Sequence, residues 1–513
     1  MKNAQRGNWP AAPAIYQIYP RSFQDTTGTG IGDLRGITDR LGHVADLGVD
    51  AIWLSPFYVS PFVDGGYDIV DHGAVDPRFG TLADFDALVT RATDLGLRVV
   101  IDQVLNHTSC EHPWFLDAAS GDEDMADRYL FRDPKPDGTA PNNWLSQFGE
   151  PAWTWCHTRR QYYFHQFLSC QPSLDLRNDA VHAAHRDQIR FWRDRGVTGF
   201  RFDAVTSYLW DESLADNPPA TPEVQAKVAG DDFVPYTYQD HVHDMLPGDG
   251  AAYADNLRKW AGDDLYLFGE STSGNRSIPL AMEFSTPGRL DAVYTTDLPE
   301  TGASPAKISE ILGCVDSLQR FPSWLTSHDQ PRHLAPGNDG RFEALLMAVL
   351  PGPWLIFQGE ELGLPQPDLA RHEVTDPLDL LYWPDGPGRE GARVPIPWMG
   401  QGPGYGFTTG TPWLPMRWRE NTVAKARRTD GATPFYRKVL HLRRDLGWAT
   451  GSVEAHKATG TALSLDLATD DGRFRAVFNY DGAPIEGMKG DPVVATTDET
   501  VTLASRCGAV WHL

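Results

Sequence analysis

The sequence predicts an α/β protein: a (β/α)8 TIM barrel, interrupted after its third strand by a small inserted domain and followed by a C-terminal antiparallel β-sandwich domain. Three observations carry this expectation. Apolar runs and amphipathic helical repeats alternate up to Asp102. The rhythm is lost between Asn106 and Leu176 and then resumes, and beyond Gly451 it gives way to short period-two runs.

The first strand is Ala14-Ile15-Tyr16-Gln17-Ile18-Tyr19, stopped by Pro20. After the turn Thr27 to Gly32, Leu34, Ile37, Leu41, Val44 and Leu47 recur at helical spacing up to Gly48. Ala51 to Ser55 forms the second strand. Thr81 can cap a helix with an apolar face of Phe85, Leu88, Val89, Ala92 and Leu95 that ends at Gly96. Arg98-Val99-Val100-Ile101-Asp102 is the third strand, and this order implies right-handed parallel winding. A structureless loop from Asn106 to Leu176 is improbable inside a compact domain, so that stretch reads as an insertion. A helix from Ala180 to Arg195 leads into Gly199-Phe200-Arg201-Phe202-Asp203-Ala204, the fourth strand. Leu265 to Phe268, Ala292 to Thr295, Trp324 to Thr326 and Trp354 to Phe357 supply the fifth to eighth. A long loop region from Gly363 to about Ala432 precedes a helix over Pro434–Leu446. Alternating runs such as Leu463-Ser464-Leu465-Asp466-Leu467 then mark the antiparallel part. The expected boundaries are 1–105 and 177–450 for the barrel, 106–176 for the insertion and 451–513 for the β domain.

Composition narrows the function. A net charge of −24 over 513 residues argues against nucleic acid or an anionic membrane surface as partner. The polar stretch Met1 to Pro13 has no signal-peptide core, and the longest apolar run is broken by Pro351 and Pro353. Five scattered cysteines fit a reducing compartment, so a cytoplasmic location is expected.

Arg201 and Asp203 share a strand face two residues apart, a costly placement unless the charges pair or are used. A structural ion pair and a catalytic carboxylate both fit until the other strand ends are read. The fifth strand ends at Glu270 and the seventh at His328-Asp329, with Arg332 beyond, while Asn106-His107 follows the third. Carboxylates at the C-terminal ends of barrel strands face one mouth. A carboxylate pair suits glycoside cleavage, and a retaining mechanism needs one ionised nucleophile and one protonated acid. Arg201 next to Asp203 is expected to lower that carboxyl's pKa, leaving Glu270 to be kept protonated by desolvation. Asp203 then attacks and Glu270 donates the proton.

With these motifs in place, the chain resembles glycoside hydrolase family 13, the α-amylase family, and within it the α-glucosidase and oligo-1,6-glucosidase branch. The resemblance runs through Tyr16 to Phe23, Gly32 to Ile37, Asp102 to His107, Gln171 to Asp175, Gly199 to Ala204, Phe268-Gly269-Glu270, His328 to Arg332, Gln358 to Glu361 and Arg389 to Trp398. It implies Asp203 as nucleophile, Glu270 as general acid/base and Asp329 as a third carboxylate acting on the sugar hydroxyls. It further implies that His107 and His328 donate to the sugar ring, that Arg201 orients the nucleophile, and that Asp68, beside Tyr67, closes the pocket with Arg332 over the non-reducing end. Phe148 stands where relatives place an aromatic wall. Ala204 follows the nucleophile at a position where valine accompanies α-1,6 cleavage and alanine or threonine α-1,4.

The implied activity is a retaining, exo-acting α-glucosidase on short α-glucosides, with α-1,4 linkages preferred. The alternative is a transglucosylase or sugar isomerase of the same family, although the arginine-rich motif of the isomerases is missing between His333 and Phe342. No cofactor or catalytic metal is expected. The turn Asp25 to Asp33 occupies the place of a calcium- or magnesium-binding loop of relatives, which leaves a structural Ca or Mg open there, but Thr27 and Thr29 replace residues that usually supply Asn or Asp oxygens and count against it. Ser173, Asp175 and Ser327 also depart from the family pattern. The expected partner is a small oligosaccharide or α-glucoside, without nucleic acid or membrane, for a monomer or homodimer.

Overall fold

The computed structural model describes residues 9–228, 235–272, 276–386 and 388–513. Seven parallel strands lie in the order Ala292–Thr295, Tyr266–Ser271, Gly199–Phe202, Arg98–Gln103, Ala51–Leu54, Ala14–Ile18, Trp354–Phe357. This is a barrel wall open at one seam. The expected seventh strand, Trp324 to Thr326, is not a full member: only Ser323 bridges in parallel to Trp354. The indole N–H of Trp324 donates to the Thr295 carbonyl at 2.8 Å, so a side chain occupies an acceptor that a neighbouring strand would otherwise use.

Strand alternation sorts the core into two. Ile15, Trp53, Val100, Tyr266, Phe268, Tyr294, Trp324 and Leu355 fill the barrel interior, and Trp9 plugs it with its indole on Thr198. Tyr16, Ile52, Ile101 and Phe200 point outward to the helices. The helix Leu34–Leu47 is capped by the Asp33 carboxylate and ends at Gly48 in the left-handed region; Thr81 and Asp84 form a capping box on Leu82–Asp94.

Between 106 and 176 the chain forms the helices Pro113–Ser120 and Glu123–Ala126 and a three-stranded antiparallel sheet, Phe131–Arg132, Gln161–Phe164 and Trp153–Cys156. A short antiparallel pair, Tyr58–Val59 with Asp71–Val75, was not signalled by the sequence pattern. The region after Gly363 holds short helical turns, among them Arg389–Ala392, before the helix Ala432–Asp445. The C-terminal part is a five-stranded antiparallel sheet with a separate two-stranded one, and Leu463, Leu465, Leu467, Phe474 and Phe478 form its buried face.

Candidate active site

The strand register assembles the first charged cluster. Arg201 pairs in register with Asp102 on one side and Phe268 on the other, so Glu270, two residues after Phe268, projects inward beside it. Gly199 permits the close approach of these strands, since a Cβ there would lie 2.6 Å from the Tyr266 carbonyl. Arg201 is fully buried. Its Nη1 donates to Asp102 Oδ1 at 2.8 Å and Asp203 Oδ1 at 2.6 Å, and its Nη2 to Glu270 Oε2 at 2.5 Å. Nε and Nη2 also reach the Tyr294 hydroxyl at 3.1 and 2.6 Å.

One guanidinium therefore serves three carboxylates. Burial pushes Asp203 up to about 7 and Asp102 up to about 6, against the downward pull of Arg201. The expectation of a lowered Asp203 pKa is thus corrected: Arg201 does pull it down, but burial outweighs a charge shared among three carboxylates, and Asp102 on the same nitrogen adds repulsion. Burial also raises Glu270 above its ordinary value, opposed by Arg201 and reinforced by Asp203.

A second cluster holds Asp329. Its Oδ1 accepts from Arg393 Nη2 at 2.8 Å and Arg389 Nη1 at 3.2 Å, and its Oδ2 lies 2.9 Å from His328 Nε2. Burial acts upward on this carboxyl, yet His328, Arg389 and Arg393 together hold it well below the usual carboxylate range. Both arginines also bind the buried Asp376, and Arg389 reaches Asp64 Oδ1 at 2.8 Å.

These clusters meet at a cavity of about 360 Å³, lined among others by Tyr67, His107, Phe148, Asp203, Ala204, Glu270, Asp329 and Arg389. Ala204 takes a left-handed conformation, φ 39°, that turns the chain after Asp203. His107 Nε2 lies 3.1 Å from the Tyr67 carbonyl and 3.2 Å from the Gln171 amide, and burial lowers its pKa to about 4, so the ring is neutral. The Phe148 ring faces the Arg389 guanidinium at 5.5 Å.

Four expected site residues stand off this wall. Arg201 lies beneath the floor. His328 stacks on Tyr67 at 5.1 Å, and its Nδ1 takes the Gln17 amide N–H at 2.7 Å, leaving the ring proton on Nε2, 2.9 Å from Asp329 Oδ2. Asp68 and Arg332 do not close the pocket. The Asp68 carboxylate accepts from Ser60 Oγ and from the N–H groups of Val63 and Asp64, tying the 60–68 loop together. Arg332 donates to the Gln358 and Ala392 carbonyls at 3.0 Å each. The ion pair on the cavity wall is Asp64–Arg389 instead.

Residues 17–449 match the Alpha amylase, catalytic domain family. The chain belongs to the α-amylase family. As a family member it is 39% identical over 494 residues to a probable alpha-glucosidase of Rhizobium meliloti (strain 1021), covering 92% of this chain and 89% of that one. It is 34% identical over 481 residues to the trehalose-6-phosphate hydrolase of Escherichia coli (strain K12), covering 85% and 84%. The crystal structure of the alpha-glucosyl transfer enzyme XgtA superposes with a TM-score of 0.91 at 35% identity, covering 99% of this chain and all of that one. The chain is thus a glycoside hydrolase of the α-glucosidase kind.

Sequence reasoning assigned no role to Asp64, Asp376, Arg389 or Arg393. One local signal was available: Arg389 and Arg393 are four apart on a helical turn, a spacing that puts both on one face. Nothing in the sequence tied them to Asp329, 60 and 64 residues away.

Proposed function

We propose that this α-amylase-family enzyme is a retaining, exo-acting α-glucosidase that splits the non-reducing-end linkage of short α-glucosides, α-1,4 in preference to α-1,6. The observation that carries this reading is the bridging of Asp203 and Glu270 by one guanidinium at the cavity floor. A retaining pair stands about 5–5.5 Å apart against about 6.5–9.5 Å for an inverting one, and a shared guanidinium holds Asp203 and Glu270 as near neighbours.

In the first step an Asp203 oxygen bonds to the anomeric carbon. The glycosidic bond breaks, and its electron pair leaves with the aglycone oxygen, which takes the Glu270 proton. Glu270, now ionised, removes a proton from water, which attacks the same carbon and releases Asp203. Asp203 and Glu270 sit on one guanidinium and repel each other, so one proton between them leaves one carboxyl ionised to attack and the other protonated to donate. Asp329, kept ionised by its arginines, is a fixed negative charge for the oxocarbenium-like transition state. The Asp64–Arg389 pair, Tyr67, His107 and Phe148 supply the wall that holds the glucosyl ring.

Initial rates on maltose, isomaltose, sucrose, trehalose and an aryl α-glucoside, with the released anomer followed by NMR, test this. α-Glucose appears first if the reading holds; β-glucose first, or full activity in Asp203→Asn, refutes it. The close superposition on a glucosyl transfer enzyme favours transfer as a second activity. Products longer than the substrate at high maltose concentration would establish it.

The reading needs no metal. Asp25 of the Asp25 to Asp33 turn accepts from Thr27 N, Gly28 N, Gly30 N and the Thr27 and Thr408 hydroxyls. Asp33 is engaged by Thr26 and by its own helix cap. Both carboxylates face hydrogen-bond donors, which does not fit a cation site. A cytoplasmic location is proposed on the five free cysteines; among the described residues no helix is long and apolar enough to cross a membrane.

A further inference from the structure

The strand carrying Glu270 pairs with the next strand so that Glu270 faces Tyr294 and Ser271 faces Thr295. Whatever follows Thr295 therefore stands beside the proton donor, on the opposite side of Asp203 and Glu270 from the strands that lead to Tyr67 and His107. With the glucosyl ring held against Tyr67 and His107, as the proposed function has it, the aglycone departs on that side. Here the helix Asp297–Glu300 and the start of Pro305–Cys314 bring Asp297, Glu300, Thr301 and Lys307 to the cavity wall.

The charge on this wall is unbalanced. The Thr295 hydroxyl donates to Asp297 Oδ2 at 2.8 Å and fixes that carboxylate. Lys307 is already engaged, with Nζ 3.4 Å from Asp297 and 2.9 Å from Glu310. Glu300 lines the mouth, where partial desolvation and Asp297 act against its charged form, Thr296 and Lys307 favour it, and no salt bridge to it is formed among the described residues. The other cation on the cavity wall among the described residues, Arg389, is held by Asp64, Asp329 and Asp376. A phosphate needs uncommitted guanidinium or ammonium donors, and here it would meet carboxylates whose cations are occupied.

We infer that the aglycone side of the cavity takes an uncharged sugar and turns away a phosphorylated one, with Asp297 and Glu300 as the discriminating residues. The inference rests on the α-glucosidase reading and narrows its substrate class. A relative of 34% identity is named for a phosphorylated disaccharide, so the family scaffold does not itself dictate this choice. The discrimination is repulsive in kind, built against the wrong substrate rather than toward the right one.

The test compares maltose with maltose carrying a 6-phosphate on its reducing glucose. The phosphorylated sugar should show kcat/KM lower by about tenfold or more, a gap that shrinks as salt rises from about 0.05 to 0.5 M because mouth charges are screened. The gap should also narrow in Asp297→Asn/Glu300→Gln. Calorimetry on the Glu270→Gln variant reads the same preference as binding, so a chain that turned over no α-glucoside would fail the functional reading while this measurement still decided the present one. Equal use or equal binding of the two sugars overturns the inference. So does a gap that neither salt nor the double substitution changes, since exclusion would then be steric.

Discussion

Arg201→Lys isolates what the guanidinium fork contributes, because it keeps the charge and removes the geometry. Arg201 joins Asp102, Asp203 and Glu270 through two nitrogens, with Tyr294 as a fourth partner. An ammonium is a single centre on a shorter reach and can keep at most one of the three carboxylates in its present place. Each charge-assisted hydrogen bond contributes about 1.5–3 kcal/mol, so losing two costs about 3–6 kcal/mol. At about 1.4 kcal/mol per decade, kcat/KM should fall by about 10²–10⁴. Tyr294→Phe is the control: it removes a partner of the same guanidinium without touching a carboxylate, so its effect on kcat/KM should be the smaller of the two. The assay is the initial rate on an aryl α-glucoside and on maltose, with thermal melting to establish that each variant is folded. A folded Arg201→Lys enzyme within tenfold of the parent, or no worse than Tyr294→Phe, refutes the claim that one fork positions both working carboxylates.

Three further outcomes follow from the same geometry. Ala204→Val places a β-branched residue at φ 39°, where such side chains are outliers, and should cost about 1–2 kcal/mol, read as a lower melting temperature; in the parent, comparable rates on maltose and isomaltose would sink the linkage assignment. Burial raises Glu360 to about 8, against an unfolded carboxyl near 4.3. The folded state thus binds the proton more tightly, and stability should be fully present below about 4.3 and lost as pH rises toward 8. Glu360→Gln should flatten the melting temperature between pH 5 and pH 8, and an unchanged slope would exclude this group as its source. Chelators should leave activity and melting temperature unchanged, whereas Asp25→Ala, which strips the acceptor from several loop donors, should cost about 1–3 kcal/mol; a drop in melting temperature with a chelator would mean that the Asp25 turn holds a cation after all.

What the sequence made legible was periodic or local. The strand–helix rhythm, the Thr81 and Asp33 caps and the carboxylates at strand ends each depend on a few adjacent residues, and the structure brings Asp203, Glu270 and Asp329 to one cavity. The seventh strand misled because Trp324-Leu325-Thr326 has strand composition, while its backbone pairing depends on where the Trp324 indole goes. Asp68 and Arg332 misled in a related way. Position in a motif places a residue near the mouth, but whether it faces the cavity depends on competing partners, and loop N–H groups and backbone carbonyls claim both.

The Asp203 pKa shows most directly what a linear reading leaves out. From the sequence, Asp203 has one charged neighbour, Arg201, and the sign of its shift follows from that pair alone. Strand register adds Asp102 to the same nitrogen and Glu270 to the next, so burial, which pushes all three carboxyls up, is opposed by a single shared cation in a cluster that would carry a net −2 if every group ionised. Asp329 has the opposite inventory, with two arginines and a histidine around one carboxylate. Asp329, which stays charged, is therefore set apart from the Arg201 cluster, where the nucleophile and the acid of a retaining pair share one cation, by which cations the fold brings to each. Arg389 and Arg393, from a helical turn outside the barrel strands, settle that for Asp329. Removing Arg393 should move Asp329 toward the behaviour of the other three, raising the acid limb of the pH profile even though Asp203, Glu270 and Arg201 are untouched.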